Sequence, residues 1–205
     1  MNNEKTGILI KRLRQERGMT QKQVADRLHV SDRAVSKWER GCGSPDVSLL
    51  RGLAAVLDVD VQSILAGELN PNDTDGGNMK RMRFYRCPTC GNVLTSTSEA
   101  EPSCCGRSLK PLEARAAEGE HGLAIEEVED EYYVVMDHPM TKSHHIAFVA
   151  CATDERIMLV RMYPEQGAQA RFPRMPRGVW YACCTEHGLF ELRGMQQGRY
   201  ARKGI

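Results

Sequence analysis

Apolar residues in the first third of the chain recur at steps of three and four, which is the spacing of amphipathic helices. Between residues 5 and 66 these positions are Ile10, Leu13, Val24, Ala25, Leu28, Val35, Trp38, Leu50, Leu53, Ala54 and Leu57. The pattern predicts a series of short helices packed into one small all-α domain.

Capping residues predict where these helices begin. Thr20 and Gln23 have the three-residue spacing of a capping box that opens a second helix. Ser31 is the predicted N-cap of a third helix. Ser44 and Pro45 are predicted to be the N-cap and first residue of a fourth. The tight turn just before Ser31 separates two short helices, which indicates a helix-turn-helix.

From residue 122 onward the pattern changes to period two, and short apolar runs are separated by Pro, Gly and Asp. The predicted strands are 123–128, 131–136, 145–151, 156–163, 169–173, 178–183 and 188–193. Seven short strands without an intervening helix predict an antiparallel, immunoglobulin-like β-sandwich. The fold class is therefore multidomain, an all-α domain followed by a mostly β part.

The segment 67–83 has neither period. Its first part is rich in Gly, Asn, Asp and Pro, which is the composition of a flexible linker. It ends in the basic run Lys80-Arg81-x-Arg83. That run suits either contact with DNA phosphates or simple exposure to solvent.

Composition limits the partners and the compartment. The chain has 205 residues and a formal net charge of +1, so any affinity for nucleic acid must come from a local basic surface. The absence of a long apolar run and of a signal-peptide pattern predicts a cytoplasmic protein with no membrane partner. Eight cysteines in a reducing compartment indicate metal ligands before disulfides.

Four of these cysteines are spaced as a metal site. Cys87 and Cys90 form a C-x-x-C pair, and Cys104 and Cys105 are adjacent. Four thiolates suit a tetrahedral site that holds iron or zinc. Adjacent cysteines are unusual for a zinc ribbon, which favours iron, and structural zinc remains the alternative.

A second set of metal-ligand residues lies downstream. It comprises His121, His138, His144, Cys184 and His187, the last two as C-x-x-H. Ligands this varied, spread over several segments, indicate one transition-metal centre assembled from loops. A structural zinc site would normally close at four ligands.

The helical region resembles the Cro/C1-type (XRE) helix-turn-helix regulators through Thr20-Gln21, Val24-Ala25, Val35-Ser36-x-Trp38-Glu39 and Gly41. The resemblance implies that the third helix enters the major groove of double-stranded operator DNA. It also implies that Arg14 and Glu39 form an internal salt bridge. The implied DNA-contacting residues are Gln21, Ser31, Asp32, Arg33, Ser36, Lys37 and Arg40.

The order of the cysteine and histidine motifs resembles desulfoferrodoxin and the superoxide reductases, and the four-cysteine motif is similar to the desulforedoxin module. The resemblance implies a mononuclear non-haem iron with the four histidines as equatorial ligands and Cys184 as axial ligand. The sixth position would be open to superoxide. The implied domains are 1–66 for DNA binding, 67–83 as linker, 84–112 as desulforedoxin-like module and 113–205 as iron β-sandwich.

One departure from the superoxide reductases affects the expected activity. They commonly carry Glu-Lys before the first histidine, where this chain has Gly119 and Glu120. A carboxylate at the mouth would repel superoxide, so Glu120 is a candidate influence on catalysis. Lys142 is the candidate that restores positive charge.

These features favour a DNA-binding transcriptional regulator that senses superoxide or redox state through its iron domain. The alternative is an active superoxide reductase with an appended DNA-binding domain. A third reading is a repressor whose metal domains are structural and dimerising. In each case a homodimer is expected, because two-fold operators need two recognition helices.

Overall fold

The computed structural model describes residues 2–71 and 77–193. The chain forms two compact units that divide between Pro71 and Asn72. In the described residues, no helix has both the length and the apolar character needed to cross a membrane.

In residues 2–71 the N-terminal unit is a bundle of five helices: α1 (Asn3–Glu16), α2 (Gln21–Leu28), α3 (Asp32–Glu39), α4 (Val47–Leu57) and α5 (Val61–Ala66). The predicted capping box is confirmed, since Thr20 Oγ1 accepts from Gln23 N–H and Gln23 Oε1 accepts from Thr20 N–H. Ser31 caps α3 by accepting from Ala34 N–H. One apolar core runs through all five helices, from Leu9 to Ile64.

The predicted start of the fourth helix is wrong. Its N-cap is Asp46, not Ser44, and the helix begins at Val47. The Asp46 carboxylate accepts from both the backbone N–H and the hydroxyl of Ser48, at 2.9 and 2.6 Å. A carboxylate with two donors satisfies the helix end, while Pro45 is buried before it.

A nearly buried ion pair holds α3 against α1 and α2. Glu39 accepts from Arg14 Nε and Nη2 at 2.5 and 3.0 Å, and from Gln21 Nε2 at 2.8 Å. Arg14 Nη1 also donates to the carbonyl of Met19. The salt bridge implied by the resemblance is therefore present, and it fixes the orientation of the helix that follows the tight turn.

The described residues of the second unit, 77–193, form twelve strands. They are β1 (Arg83–Arg86), β2 (Val93–Ser96), β3 (Ser103–Cys104), β4 (Arg107–Ser108), β5 (Ala114–Ala116), β6 (Ala124–Val128), β7 (Glu131–Val135), β8 (Ile146–Ala152), β9 (Ile157–Arg161), β10 (Gln169–Pro173), β11 (Val179–Cys184) and β12 (Gly188–Arg193). A three-stranded sheet β10-β7-β6 faces a five-stranded sheet β5-β12-β11-β8-β9 across a buried apolar core.

All seven predicted strands are present, with ends shifted by two residues or fewer. The sandwich is not wholly antiparallel, because β5 pairs in parallel with β12 at one edge of the larger sheet. Strands β8 and β11 are buried on both faces. The inner face contributes to the core between the sheets, and the outer face packs against the segment that contains β1.

The predicted linker 67–83 is too long at both ends. Gly67 caps α5 with φ +78° and packs against Lys5, so it belongs to the helical unit. Met79 N–H donates to the carbonyl of Asp154, and Met82 is buried in the second unit.

Side chains also pack continuously across the predicted boundary between the four-cysteine module and the sandwich. The Phe84 ring lies 5.4 Å from Phe148 and 5.0 Å from Tyr181, measured between ring centroids. Residues 84–112 therefore share a core with the larger sheet.

Candidate metal centre and nucleic-acid interface

Three connections between secondary-structure elements carry the downstream ligand residues. His121 ends a single 3₁₀ turn, Gly119–His121, before β6. His138 and His144 lie in the loop between β7 and β8, and Cys184 and His187 lie at the β11–β12 hairpin. Segments far apart in the sequence thus meet at one end of the sandwich.

The four imidazole rings form a closed four-sided arrangement. Successive ring centroids are separated by 5.0 Å from His121 to His138, 4.6 Å to His144, 4.9 Å to His187 and 4.9 Å back to His121. One ligand atom from each of His121, His144, Cys184 and His187 lies within 4.8 Å of the other three. Four of the five predicted residues therefore converge through their ligand atoms, and the fifth, His138, lies beside them by its ring contacts.

The unpartnered nitrogens test whether these residues fit a metal. The Nε2 atoms of His121, His138 and His144 are buried and have no hydrogen-bond partner. His138 Nδ1 lies 2.6 Å from the carbonyl of Pro139 and donates to it, which leaves the Nε2 lone pair for a ligand. Buried orphan acceptors are costly, and a transition-metal ion would satisfy all three at once. The residues fit the implied ion.

The geometry of the hairpin presents Cys184 and His187 together. His187 Nδ1 and its backbone N–H lie 3.5 and 3.4 Å from Cys184 Sγ. Gly188 has φ +85°, which closes the three-residue loop, and the register with β8 shifts between Cys183 and Cys184. Cys183 faces the outer packing and Cys184 the inner core, as alternation predicts.

Burial favours the neutral, metal-binding form of two of the histidines. Loss of solvent lowers the pKa of His121, and the neighbouring His138 and His187 lower it further. Burial likewise lowers the pKa of His138, against the opposing effect of its hydrogen bond to Pro139. An uncharged imidazole is the form that coordinates a metal.

Two neighbours of the imidazoles were not predicted. The Phe190 ring stacks on the His121 ring, with 4.0 Å between their centroids. The Arg115 guanidinium lies over the Phe190 ring, with its Cζ 4.8 Å from the centroid. The Arg115 guanidinium also donates to the carbonyl of His187. Alternation along β12 could have placed Phe190 beside Cys184, whereas Arg115 depends on the parallel pairing of β5.

The two candidate charges at the mouth lie on the surface. Glu120 is exposed in the turn that carries His121, and its charge raises the pKa of that histidine, against the larger effect of burial. Lys142 is exposed between His138 and His144, where its Nζ lies 3.8 Å from Glu165 Oε1. The exposed Glu165 therefore lies close enough to offset part of the positive charge of Lys142.

The upstream cysteines also meet. One sulfur from each of Cys87, Cys90, Cys104 and Cys105 lies within 4.8 Å of the others, with Cys87 buried and Cys90 and Cys105 exposed. The backbone N–H of Cys90 lowers the pKa of Cys87 to about 6. Hydrogen bonds from Cys105 to Cys90 and Cys87 raise the pKa of Cys105 to about 12. The Cys87 thiolate therefore forms readily, and a bound cation would stabilise the thiolates of the other three cysteines.

The third helix presents a charged surface. Asp32, Arg33, Lys37 and Arg40 are exposed on or next to α3, and Ser36 is half-buried between them. Two other predicted DNA contacts already have partners within the domain. Ser31 Oγ caps α3 and Gln21 donates to Glu39. A polar residue that orders the helix can still lie near a phosphate.

The family model "Helix-turn-helix" matches residues 10–64. Residues 10–64 form a helix-turn-helix domain of the XRE type. A transcriptional activator named BcrR from Enterococcus faecalis is 38% identical over 79 residues, covering 37% of this chain and 39% of that protein. Both matches include the helix-turn-helix domain and leave most of the chain uncovered.

Two further comparisons are with a desulfoferrodoxin and a superoxide reductase. A desulfoferrodoxin from Clostridium acetobutylicum is 29% identical over 56 residues, covering 27% of this chain and 45% of that protein. The superoxide reductase of Treponema pallidum aligns with 55% of this chain and 97% of its own, with a TM-score of 0.48 and 20% identity. The chain spans about two-fifths to half the length of the curated relatives it matches.

Proposed function

We propose that the chain is a transcriptional regulator in which the helix-turn-helix domain binds operator DNA and a His₄Cys iron centre senses superoxide or redox state. The observation that carries the proposal is the closed arrangement of four imidazoles beside Cys184. Three of those imidazoles have buried nitrogens without partners. The presence of this cluster in one chain with a helix-turn-helix domain supports a role in sensing superoxide or redox state.

Iron bound here would supply one-electron redox chemistry. The chain's own residues determine how it is held. Pro139 keeps His138 in the tautomer that frees Nε2, and the hairpin places Cys184 Sγ beside His187 Nδ1. The His187 N–H donates to the same sulfur, which lowers the electron density on a thiolate there.

The first experiment tests iron binding. Anaerobically purified protein is expected to contain iron, and ferricyanide oxidation is expected to produce a visible thiolate-to-ferric band. His144→Gln is expected to lose that iron and His145→Gln to retain it. His145 is the matched control because its Nδ1 interacts with the carbonyl of Thr141, outside the four-sided arrangement. Wild-type protein without iron, or without the band, would contradict the proposal.

The second experiment tests coupling to DNA. Duplexes are selected from a random-sequence pool separately with reduced and with oxidised protein, and affinities for the recovered sequences are measured in both states. A coupling of about 1–3 kcal/mol, or roughly 5- to 150-fold, is expected. Equal affinity in the two states would exclude the sensor. The size of the DNA-bound species gives the stoichiometry, for which we propose a homodimer.

The recognition surface has its own test. Arg33→Ala and Lys37→Ala remove exposed positive charges on α3, and each is expected to weaken binding to the selected duplexes. Lys11→Ala removes the same type of charge from an exposed position on α1 and is the matched control. Equal losses in all three variants would mean that α3 has no special role.

We propose that the four-cysteine cluster binds a second metal ion, iron in preference to zinc. Support comes from the four convergent sulfurs and the thiolate-stabilising N–H groups around Cys87. Cys104→Ser is expected to lose one equivalent of metal, whereas Cys42→Ser, at an exposed cysteine of the helical domain, is expected to lose none. Metal analysis of the two variants decides between iron, zinc and no metal.

An active superoxide reductase is the second candidate function. It is supported by the exposure of His187, which leaves one side of the centre accessible to a small molecule. Catalytic consumption of superoxide by the reduced protein, with hydrogen peroxide as product, would establish it. Consumption of only one equivalent of superoxide per iron would exclude catalysis and leave sensing as the proposed function.

A further inference from the structure

Thr185 connects the two segments that carry His144 and Cys184. Its hydroxyl donates to the carbonyl of Ser143 at 2.8 Å and accepts from His145 N–H at 3.1 Å. Its backbone N–H donates to the carbonyl of His145 at 2.9 Å. These three hydrogen bonds lie on both sides of His144, and Thr185 directly follows Cys184.

The loop that carries His144 is also closed from within. Thr141 Oγ1 accepts from His144 N–H at 3.0 Å and donates to His144 carbonyl at 3.1 Å. Thr141 N–H donates to the same carbonyl at 2.9 Å. Thr141 therefore shapes the turn of the loop, whereas Thr185 relates that turn to the hairpin with Cys184.

We propose that Thr185 is a positioning residue, which holds His144 at a fixed place relative to Cys184 so that the imidazole and the thiol reach one metal ion together. The inference rests on the proposed iron centre for its consequence. Its structural part, the hydroxyl bridge across His144, can be tested without metal. Hydrogen-bonded neighbours of ligands orient them, and their loss commonly weakens metal binding about 10- to 100-fold.

Three variants separate positioning from general stability. Thr185→Val removes the hydroxyl and keeps the β-branched shape, so both hydroxyl bonds are lost. Thr185→Ser keeps the hydroxyl. Thr153→Val is the matched control, because Thr153 makes the same set of bonds to Arg156 that Thr141 makes to His144, in the β8–β9 turn away from the centre.

The metal readout is retention of ferrous iron against ferrozine, together with the visible band of the oxidised protein. Thr185→Val is expected to release iron about 10- to 100-fold more readily and to shift the band. Thr185→Ser is expected to restore both, and Thr153→Val to change neither. Retention and spectrum equal to those of Thr153→Val would overturn the proposal.

The second readout is amide hydrogen exchange in metal-free protein. The His145 N–H is expected to be protected in the wild type and in Thr185→Ser, and to lose protection in Thr185→Val. Unchanged protection would overturn the bridge. If the wild type binds no iron, the proposed function fails. Hydrogen exchange still decides whether the Thr185 hydroxyl bridges the residues on both sides of His144. Should Thr185→Val not fold, Thr185→Ala removes the same bonds with less change to packing and is measured in the same way.

Discussion

Replacing Glu39 by Gln removes the negative partner from the ion pair that orients α3. The Glu39 side chain is 2% exposed and that of Arg14 is 12% exposed, so the substitution leaves a positive charge almost without solvent. The Glu39 carboxylate accepts three hydrogen bonds, two from Arg14 and one from Gln21, whereas an amide has one acceptor oxygen and places an NH2 donor where the other stood. We expect the helix-turn-helix domain to be destabilised and its DNA affinity to fall with it.

The size of the effect follows from burial. Breaking a buried pair by removing one partner costs about 3–5 kcal/mol. Arg14 keeps its bond to the Met19 carbonyl and some contact with solvent, so we expect the lower end, about 3 kcal/mol. That is a large fraction of the roughly 5–15 kcal/mol that stabilises an ordinary domain.

Urea unfolding followed by ellipticity at the helical band measures this loss, because the described α-helices all lie in residues 3–66. Glu68→Gln is the control. It breaks the pair between Lys5 and Glu68, in which both side chains are more than half exposed, and is expected to cost less than about 1 kcal/mol. Equal costs for the two variants would refute the assignment of Glu39 as the buried anchor of α3.

Four further predictions concern the second unit. Gly178→Ala would place a Cβ 2.3 Å from Cys151 Sγ, so a loss of about 1–3 kcal/mol is expected in thermal unfolding, and less when Cys151→Ala is added. Burial raises the pKa of Cys151 to about 12, whereas an unfolded thiol has a pKa of roughly 8.5. The stability that the buried neutral thiol contributes is therefore complete below about pH 8.5 and declines as the pH rises from there towards 12. Urea titrations of wild type and Cys151→Ala across this range should therefore converge as pH rises. Glu120→Lys should speed superoxide consumption by roughly tenfold at low salt, and an unchanged rate would show that charge at the mouth does not limit it. Arg115→Gln removes a cation over Phe190 and should lower the reduction potential of the iron, measured by spectroelectrochemistry.

Local spacing predicted much of the molecule because the relevant interactions are local. The capping box of Thr20 and Gln23 depends on neighbours within a few residues, and it is confirmed. The fourth helix was misplaced for a related reason. Ser44 and Asp46 are both residues that commonly cap helices, and the spacing of the sequence does not choose between them.

The surroundings of the metal centre could not be predicted in the same way. The ligand residues are recognisable by type and order, but Arg115 reaches His187 only because β5 pairs in parallel with β12. Thr185 bridges a loop some forty positions earlier in the chain, where it contacts backbone atoms that have no residue signature. Pairings between distant segments are what single-sequence patterns do not contain.

The unpartnered nitrogens of His121, His138 and His144 also bear on how long the protein persists in a cell. A buried polar atom without a partner costs about 1–3 kcal/mol, so protein depleted of metal would lose several kcal/mol of stability. Because proteases act on transiently opened chains, such a loss raises the rate of degradation. Under the proposed iron binding, iron supply would then set the abundance of the protein.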